Sequence, residues 1–196
     1  MRTDLSLRFA LLACALPALA ACGVDDDADT TAAPADVTAS TGVTGETTVG
    51  AIPADKRQAV CDALLEYTRG QITEAESKKV TCVVAGILSS GVASGGSPDI
   101  SACNAAYEAC LAAPAEPDET PEACALANAP AECDVTIDEL EACAQASVQA
   151  FKTIAANLSG GCAVAANPSS LESAFSSEEP EVCASIKSRC PGIVSE

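Results

Sequence analysis

The chain has 196 residues, 28 acidic against 10 basic, with no histidine and a formal net charge of −18. Such a surface repels phosphate backbones and anionic headgroups, so no nucleic-acid partner is expected. The lack of histidine removes Ser-His-Asp and Cys-His catalysis and the usual zinc ligand sets. Aromatic residues make up only 3% of the chain, and alanine, which buries little area, supplies much of the apolar count. A core of Ala, Val and a few Leu is thin, and twelve cysteines are the natural compensation.

Residues 1–21 read as an export signal. Arg2 and Arg8 precede an apolar stretch from Phe9 to Ala18, and small residues follow. The run Leu19-Ala20-Ala21-Cys22 resembles the lipobox of bacterial lipoproteins. That resemblance implies cleavage before Cys22, a diacylglycerol on its thiol, and two or three acyl chains of palmitate type in all, enough for stable anchoring. It also implies that Gly23, rather than Asp, directs the protein to the outer membrane of the envelope. Three other readings compete with it. Leu12-Ala13-Cys14 fits the same pattern but leaves about five apolar residues before it, short for a signal core. A membrane-spanning helix needs about twenty apolar residues, and Pro17 and Asp25-Asp26-Asp27 interrupt the run. An ordinary secretory signal with a free Cys22 is the plainer alternative. Loss of Arg2, Asp4 and Arg8 with the signal leaves 27 acidic and 8 basic residues, a net charge of −19.

Residues 22–52 read as a lipid-anchored, disordered tether, rich in Asp, Thr, Ala and Gly without an apolar period. Such a segment cannot bury enough surface to offset its ordering entropy. Asp25, Asp27, Asp29 and Asp36 fall on positions 1, 3, 5 and 12 of an EF-hand-like loop. Thr30 stands where the turn needs Gly, and no helices flank it, so a solvated spacer is the expectation.

Residues 53–196 read as an all-α, disulfide-rich domain. Val60, Cys61, Leu64, Leu65, Thr68 and Ile72 recur at helical steps. A second helix carries Val80, Val83, Val84, Ile87 and Leu88 and stops at Gly91. The glycine-rich stretch to Gly96 reads as a connector. A third helix follows Pro98-Asp99, presents Cys103, Tyr107 and Cys110, and ends at Pro114. Thr136-Ile137-Asp138-Glu139 is a capping box, opening a helix striped by Leu140, Cys143, Val148, Phe151 and Leu158. Ser159-Gly160-Gly161 ends it. A weaker helical piece spans 171–175, and a last helix runs from Pro180 to Cys190-Pro191-Gly192.

Cys82, Cys103 and Cys110 are spaced 21 and 7 apart, and so are Cys162, Cys183 and Cys190, shifted by 80 residues. Cys61 lies 21 before the first set and Cys143 lies 19 before the second. The expectation is two related halves, about 53–113 and 134–196, with a connector at 114–133 that holds Cys124 and Cys133. Ten cysteines allow roughly 945 pairings. Seven residues along a helix separate Cα atoms by about 10.5 Å, beyond disulfide reach, which excludes Cys103–Cys110 and Cys183–Cys190. Height matching in an up-down-up arrangement then suggests Cys61–Cys103, Cys82–Cys110, Cys143–Cys183 and Cys162–Cys190, with Cys124–Cys133 local.

Chemistry beyond this is sparse. No CxxC, HExxH, GxSxG or phosphate loop occurs. Glu116, Asp118, Glu119 and Glu122 crowd one loop, and Glu178, Glu179 and Glu181 another. They read as solvated turns, with weak calcium binding and a glycosidase-type carboxylate pair as the sharper alternatives. Asn157-Leu158-Ser159 matches a glycosylation sequon, taken as incidental. Lys78-Lys79 and the Lys187/Arg189 pair read as ordinary surface.

Cys133-Asp134-Val135-Thr136-Ile137-Asp138-Glu139-Leu140-Glu141-Ala142-Cys143 and the terminal Cys183 to Cys190-Pro191, with the lipobox and acidic tether, resemble cysteine-rich, alanine-rich lipoproteins of myxobacteria. The likeness covers most of residues 53–196. Its motifs are a cap and staples, so it implies location and fold and no activity. The resulting expectation is a non-catalytic envelope protein without cofactor, catalytic centre or metal site, held by Cys22 and binding an envelope or extracellular protein or serving as surface structure. An inhibitor or adhesin using the acidic loops, and a carboxylate-dependent hydrolase of envelope polymers, are the alternatives.

Overall fold

A computed structural model describes residues 40–91, 98–114, 124–175 and 179–193. The described chain is helical apart from one antiparallel bridge between Thr48 and Thr136. Cys14, Cys22, the Asp25–Asp36 pattern, the glycine stretch after Gly91, the acidic loop at 116–122 and Glu178 lie outside these residues.

The domain starts earlier than the sequence suggests. Val43, Val49 and Ile52, assigned above to the tether, are buried. The amide of Val49 donates to the Val135 carbonyl (2.7 Å) and that of Gly50 to the Cys133 carbonyl (3.0 Å). In return Ile137 donates to Thr47 (3.1 Å) and Asp138 to Gly45 (2.9 Å). Residues 43–52 are therefore a docked strap, whose last turn is a short 3-10 helix, η1 (Val49–Ala51). Three apolar side chains at irregular spacing have no period to detect; the strap is held by pairing with a segment some ninety residues away.

Helix α1 (Ala54–Gln71) begins after Pro53 and gives way at Ile72. Only Ile72 and Thr73 separate it from α2 (Glu74–Ser89), which opens on a capping box. The Thr73 hydroxyl accepts from the Glu76 amide, and the Glu76 carboxylate accepts from the Thr73 amide at 2.9 Å. Ser90 and Gly91, the latter at φ 80°, end α2. Helix α3 (Ile100–Ala112) starts on Asp99, whose carboxylate accepts from the Ala102 amide at 3.0 Å. It packs along α2 more extensively than any other pair of elements. Gly86 permits this approach: a Cβ there would lie 2.8 Å from the Cys103 carbonyl and 3.0 Å from its Sγ.

A second 3-10 turn, η2 (Ala125–Asn128), lies on α1. Helix α4 (Ile137–Asn157) has the Thr136–Glu139 capping box expected of it. At 21 residues it is roughly 32 Å long, long enough to serve two cores. A third 3-10 turn, η3 (Gly161–Ala166), leads into α5 (Pro168–Phe175). Helix α6 (Glu181–Arg189) follows Pro180, which caps the helix rather than occupying its first turn.

The apolar side chains form two clusters. One gathers the strap, the start of α1, η2, the start of α4 and α6 around Val49, Val60, Ile137 and Ile186. The other gathers α2, α3, the end of α4, η3 and α5 around Val83, Ile87, Val148 and Leu158. Tyr67, Tyr107, Phe151 and Phe175 all belong to the second. Each cluster draws on residues both before and after the 114–133 connector. The layers thus run across the two sequence halves instead of following them.

Candidate functional site: the disulfide framework

All ten cysteines from Cys61 to Cys190 are paired: Cys61–Cys124, Cys82–Cys110, Cys103–Cys162, Cys133–Cys190 and Cys143–Cys183. Cα separations run from 5.0 to 6.0 Å, inside the usual range. The exclusion of Cys103–Cys110 and Cys183–Cys190 stands, as do Cys82–Cys110 and Cys143–Cys183. The other three expectations are corrected. Cys61 does not meet Cys103, because α1 packs mainly on η2 and α4 rather than on α3, and η2 presents Cys124. Cys103 faces the second core and meets Cys162 on η3. Cys133 leaves Cys124 for Cys190 because residues 133–138 pair with the strap and lie against the end of α6. The observed pairing does not carry the 80-residue repeat: Cys82 and Cys162, equivalent in that repeat, take non-equivalent partners.

Two arginines hold the framework together, and neither stands out in the sequence. The Arg57 Nη1 donates to the carbonyls of Leu126, Ala127 and Ala129 (3.2–3.3 Å), and its Nε donates to Ile52 (3.2 Å). One guanidinium thus caps η2 beside Cys61–Cys124 and ties it to the end of the strap. Arg189, read above as ordinary surface, donates from Nε to the Asp134 carboxylate (2.9 Å), from Nη2 to the Asp134 carbonyl (3.0 Å), and from Nη1 to Glu139. Lys78 likewise donates to the Ala113 carbonyl (2.8 Å), closing the C-terminus of α3. Lys187 pairs with Glu179 at 3.4 Å.

The hydrogen bond from Arg189, then that from the Thr136 amide, holds the Glu139 carboxyl below the usual carboxylate range. In Glu76 the Thr73 amide has the same effect. A carboxyl whose pKa is lower folded than unfolded stabilises the fold above the unfolded value, about 4.3, and loses that contribution as pH falls through the folded value. Thr136→Ala is expected to lower stability by about 1 kcal/mol at pH 7, measured by urea unfolding. Glu139→Gln should also be destabilising at pH 7, and its difference from the native chain should vanish well below pH 4. A difference that persists at low pH would show that charge is not its source.

Two depressions stand out on the described surface. One, of about 340 Å³, is lined by Asn157, Ser169, Ser170 and Ser173. The other, of about 190 Å³, is lined by Glu76, Lys79, Val80, Val83, Ala155, Leu158 and Ser159. The first is open and the second half-enclosed. The sequon residue Asn157 lies in the first. Among the described residues no group of three or more Asp, Glu or Cys is placed to hold a metal ion, and no helix is long and apolar enough to cross a membrane.

Fold and framework together define an all-α, five-disulfide domain whose distinguishing feature is its covalent geometry. Comparison with family models, with curated proteins and with solved structures finds no match.

Proposed function

We propose that the chain is a non-catalytic lipoprotein of a bacterial envelope, anchored through lipid on Cys22, with a binding or surface-structural role at the outer membrane. The observation that carries this reading is the closure of the five pairs on the cysteines from 61 to 190, without drawing on Cys14 or Cys22. Disulfides of this density belong to oxidising compartments, in agreement with the export signal, and leave Cys22 to the lipid. Two of the carboxylates have a structural use. Glu76 and Glu139 are pushed down rather than up, opposite to a general acid, and both serve as helix caps. A resemblance to myxobacterial lipoproteins fits the same reading.

The test is expression in a bacterial host fed an alkyne analogue of palmitate. The native chain should take up label and fractionate with the outer membrane, and Cys22→Ala should lose both. Label retained in Cys22→Ala, or a native chain recovered unlabelled from the soluble fraction, counts against the anchor. Capture of the anchored protein from its envelope would then identify a partner. Hydrolysis of an envelope polymer by the purified domain would reverse the non-catalytic assignment.

A further inference from the structure

The five disulfides form two nested sets joined by one link. Cys82–Cys110 lies inside the loop closed by Cys61–Cys124, and Cys143–Cys183 lies inside the loop closed by Cys133–Cys190. Cys103–Cys162 alone runs from one set to the other. Any single peptide bond between Cys61 and Cys190 can therefore be cut while at least one disulfide still joins the pieces. For a cut between Cys124 and Cys133, that disulfide is Cys103–Cys162 by itself.

We propose that the fold is a cleavage-tolerant device: cut in the 125–132 turn, it persists as a native-like two-chain protein held by Cys103–Cys162. The end of the turn is accessible, with Ala131 and Glu132 both exposed between buried Ala129 and Cys133, so a glutamate-specific endopeptidase is the class of partner that would make this cut. Hydrolysis there consumes one water and leaves a carboxylate and an amine, with no electron transfer and no disulfide opened. The joining link is shielded from thiols, since Cys103 is 0% and Cys162 4% exposed. The pieces also share non-covalent structure. Both build each apolar core, and the strap from the first piece pairs with residues 133–138 of the second. In an envelope protein facing secreted proteases, this arrangement would keep the domain on its anchor after a nick. That benefit rests on the proposed location, but the covalent logic does not.

The test inserts a site for a sequence-specific protease between Ala131 and Glu132 of the full chain and compares the same protein before and after cutting. Expected are a non-reduced, denatured mass heavier by one water, two fragments after reduction, and an unchanged helical circular-dichroism signal. Fragments that part in denaturant without reductant, or helical signal lost on cutting, would overturn the proposal. If the insertion itself disturbs the fold, limited glutamate-specific digestion of the natural chain, with the species cut only after Glu132 isolated, reads the same outcomes. In a Cys103→Ala/Cys162→Ala background the cut pieces should part in denaturant alone; pieces still joined would reveal another link between the sets and sink the scheme. A peptide map of the cut chain with its cysteines intact must contain the Cys103–Cys162 pair, which decides the matter where the double variant misfolds. None of these results depends on Cys22, so failure of the lipid label and failure of this proposal are distinguishable.

Discussion

Replacing Cys103 and Cys162 together by alanine is expected to cost about 4 kcal/mol in the chain-entropy account of crosslinks, the largest loss among the five pairs. Their loop spans 59 residues, and no other disulfide shortens it, because none connects the two nested sets. The Cys133–Cys190 loop, of similar length at 57, differs. With Cys143–Cys183 in place, its free path is only the 10 residues before that bridge and the 7 after it. Removing Cys133–Cys190 is therefore expected to cost about 3 kcal/mol. Both pairs are buried, with Cys103 and Cys190 each fully so, so the cavity left is similar in the two variants and the gap reports loop length. Denaturant unfolding of the oxidised double variants measures both. Equal losses, or the reverse order, would show that effective loop length does not govern stability here.

Gly50→Ala is expected to destabilise the domain by about 2 kcal/mol, through forced displacement of well-packed structure. A Cβ at Gly50 would run into the Ala131 carbonyl oxygen and lie 3.0 Å from that of Cys133. Both obstacles are backbone, and Cys133 is held by its disulfide and by the Gly50 amide itself. The strap would have to lift, drawing fully buried Val49 out of the core. Gly45→Ala provides the control. Its Cβ meets the carboxylate of Asp138, an exposed and flexible side chain that can rotate away, so the effect should stay within about 0.5 kcal/mol. Thermal unfolding ranks the two, and hydrogen exchange at Val49 and Ile137 reports whether the strap has lifted. Equal effects at both glycines would refute the rigid contact at Gly50.

The helices were largely legible because their signals are local. The Val80–Leu88 stripe and the Thr136–Glu139 box each lie within a few turns of chain, and both describe the helices that form. The Thr73–Glu76 box carries the same signature, Thr-Glu-Ala-Glu ahead of an apolar run. The partners of the basic residues are not legible for another reason. What Arg57, Lys78 and Arg189 clasp depends on carbonyls 35 to 72 positions away, which no window of sequence contains.

The sequence by itself determined that this domain is helical, that its core is thin and stapled, and which ten cysteines are available as staples. Those properties follow from composition, period and local capping, which act within a few residues of one another. Only the tertiary structure decided which cysteines meet, where the domain begins and which single link unites its two covalent sets. A disulfide needs two Cα atoms within a few ångströms of each other, and that proximity is set by which helix faces pack together. Spacing along the chain placed Cys103 beside Cys61; the packing of α1 on η2 and α4 gave Cys61 to Cys124 and left Cys103 to join the two sets.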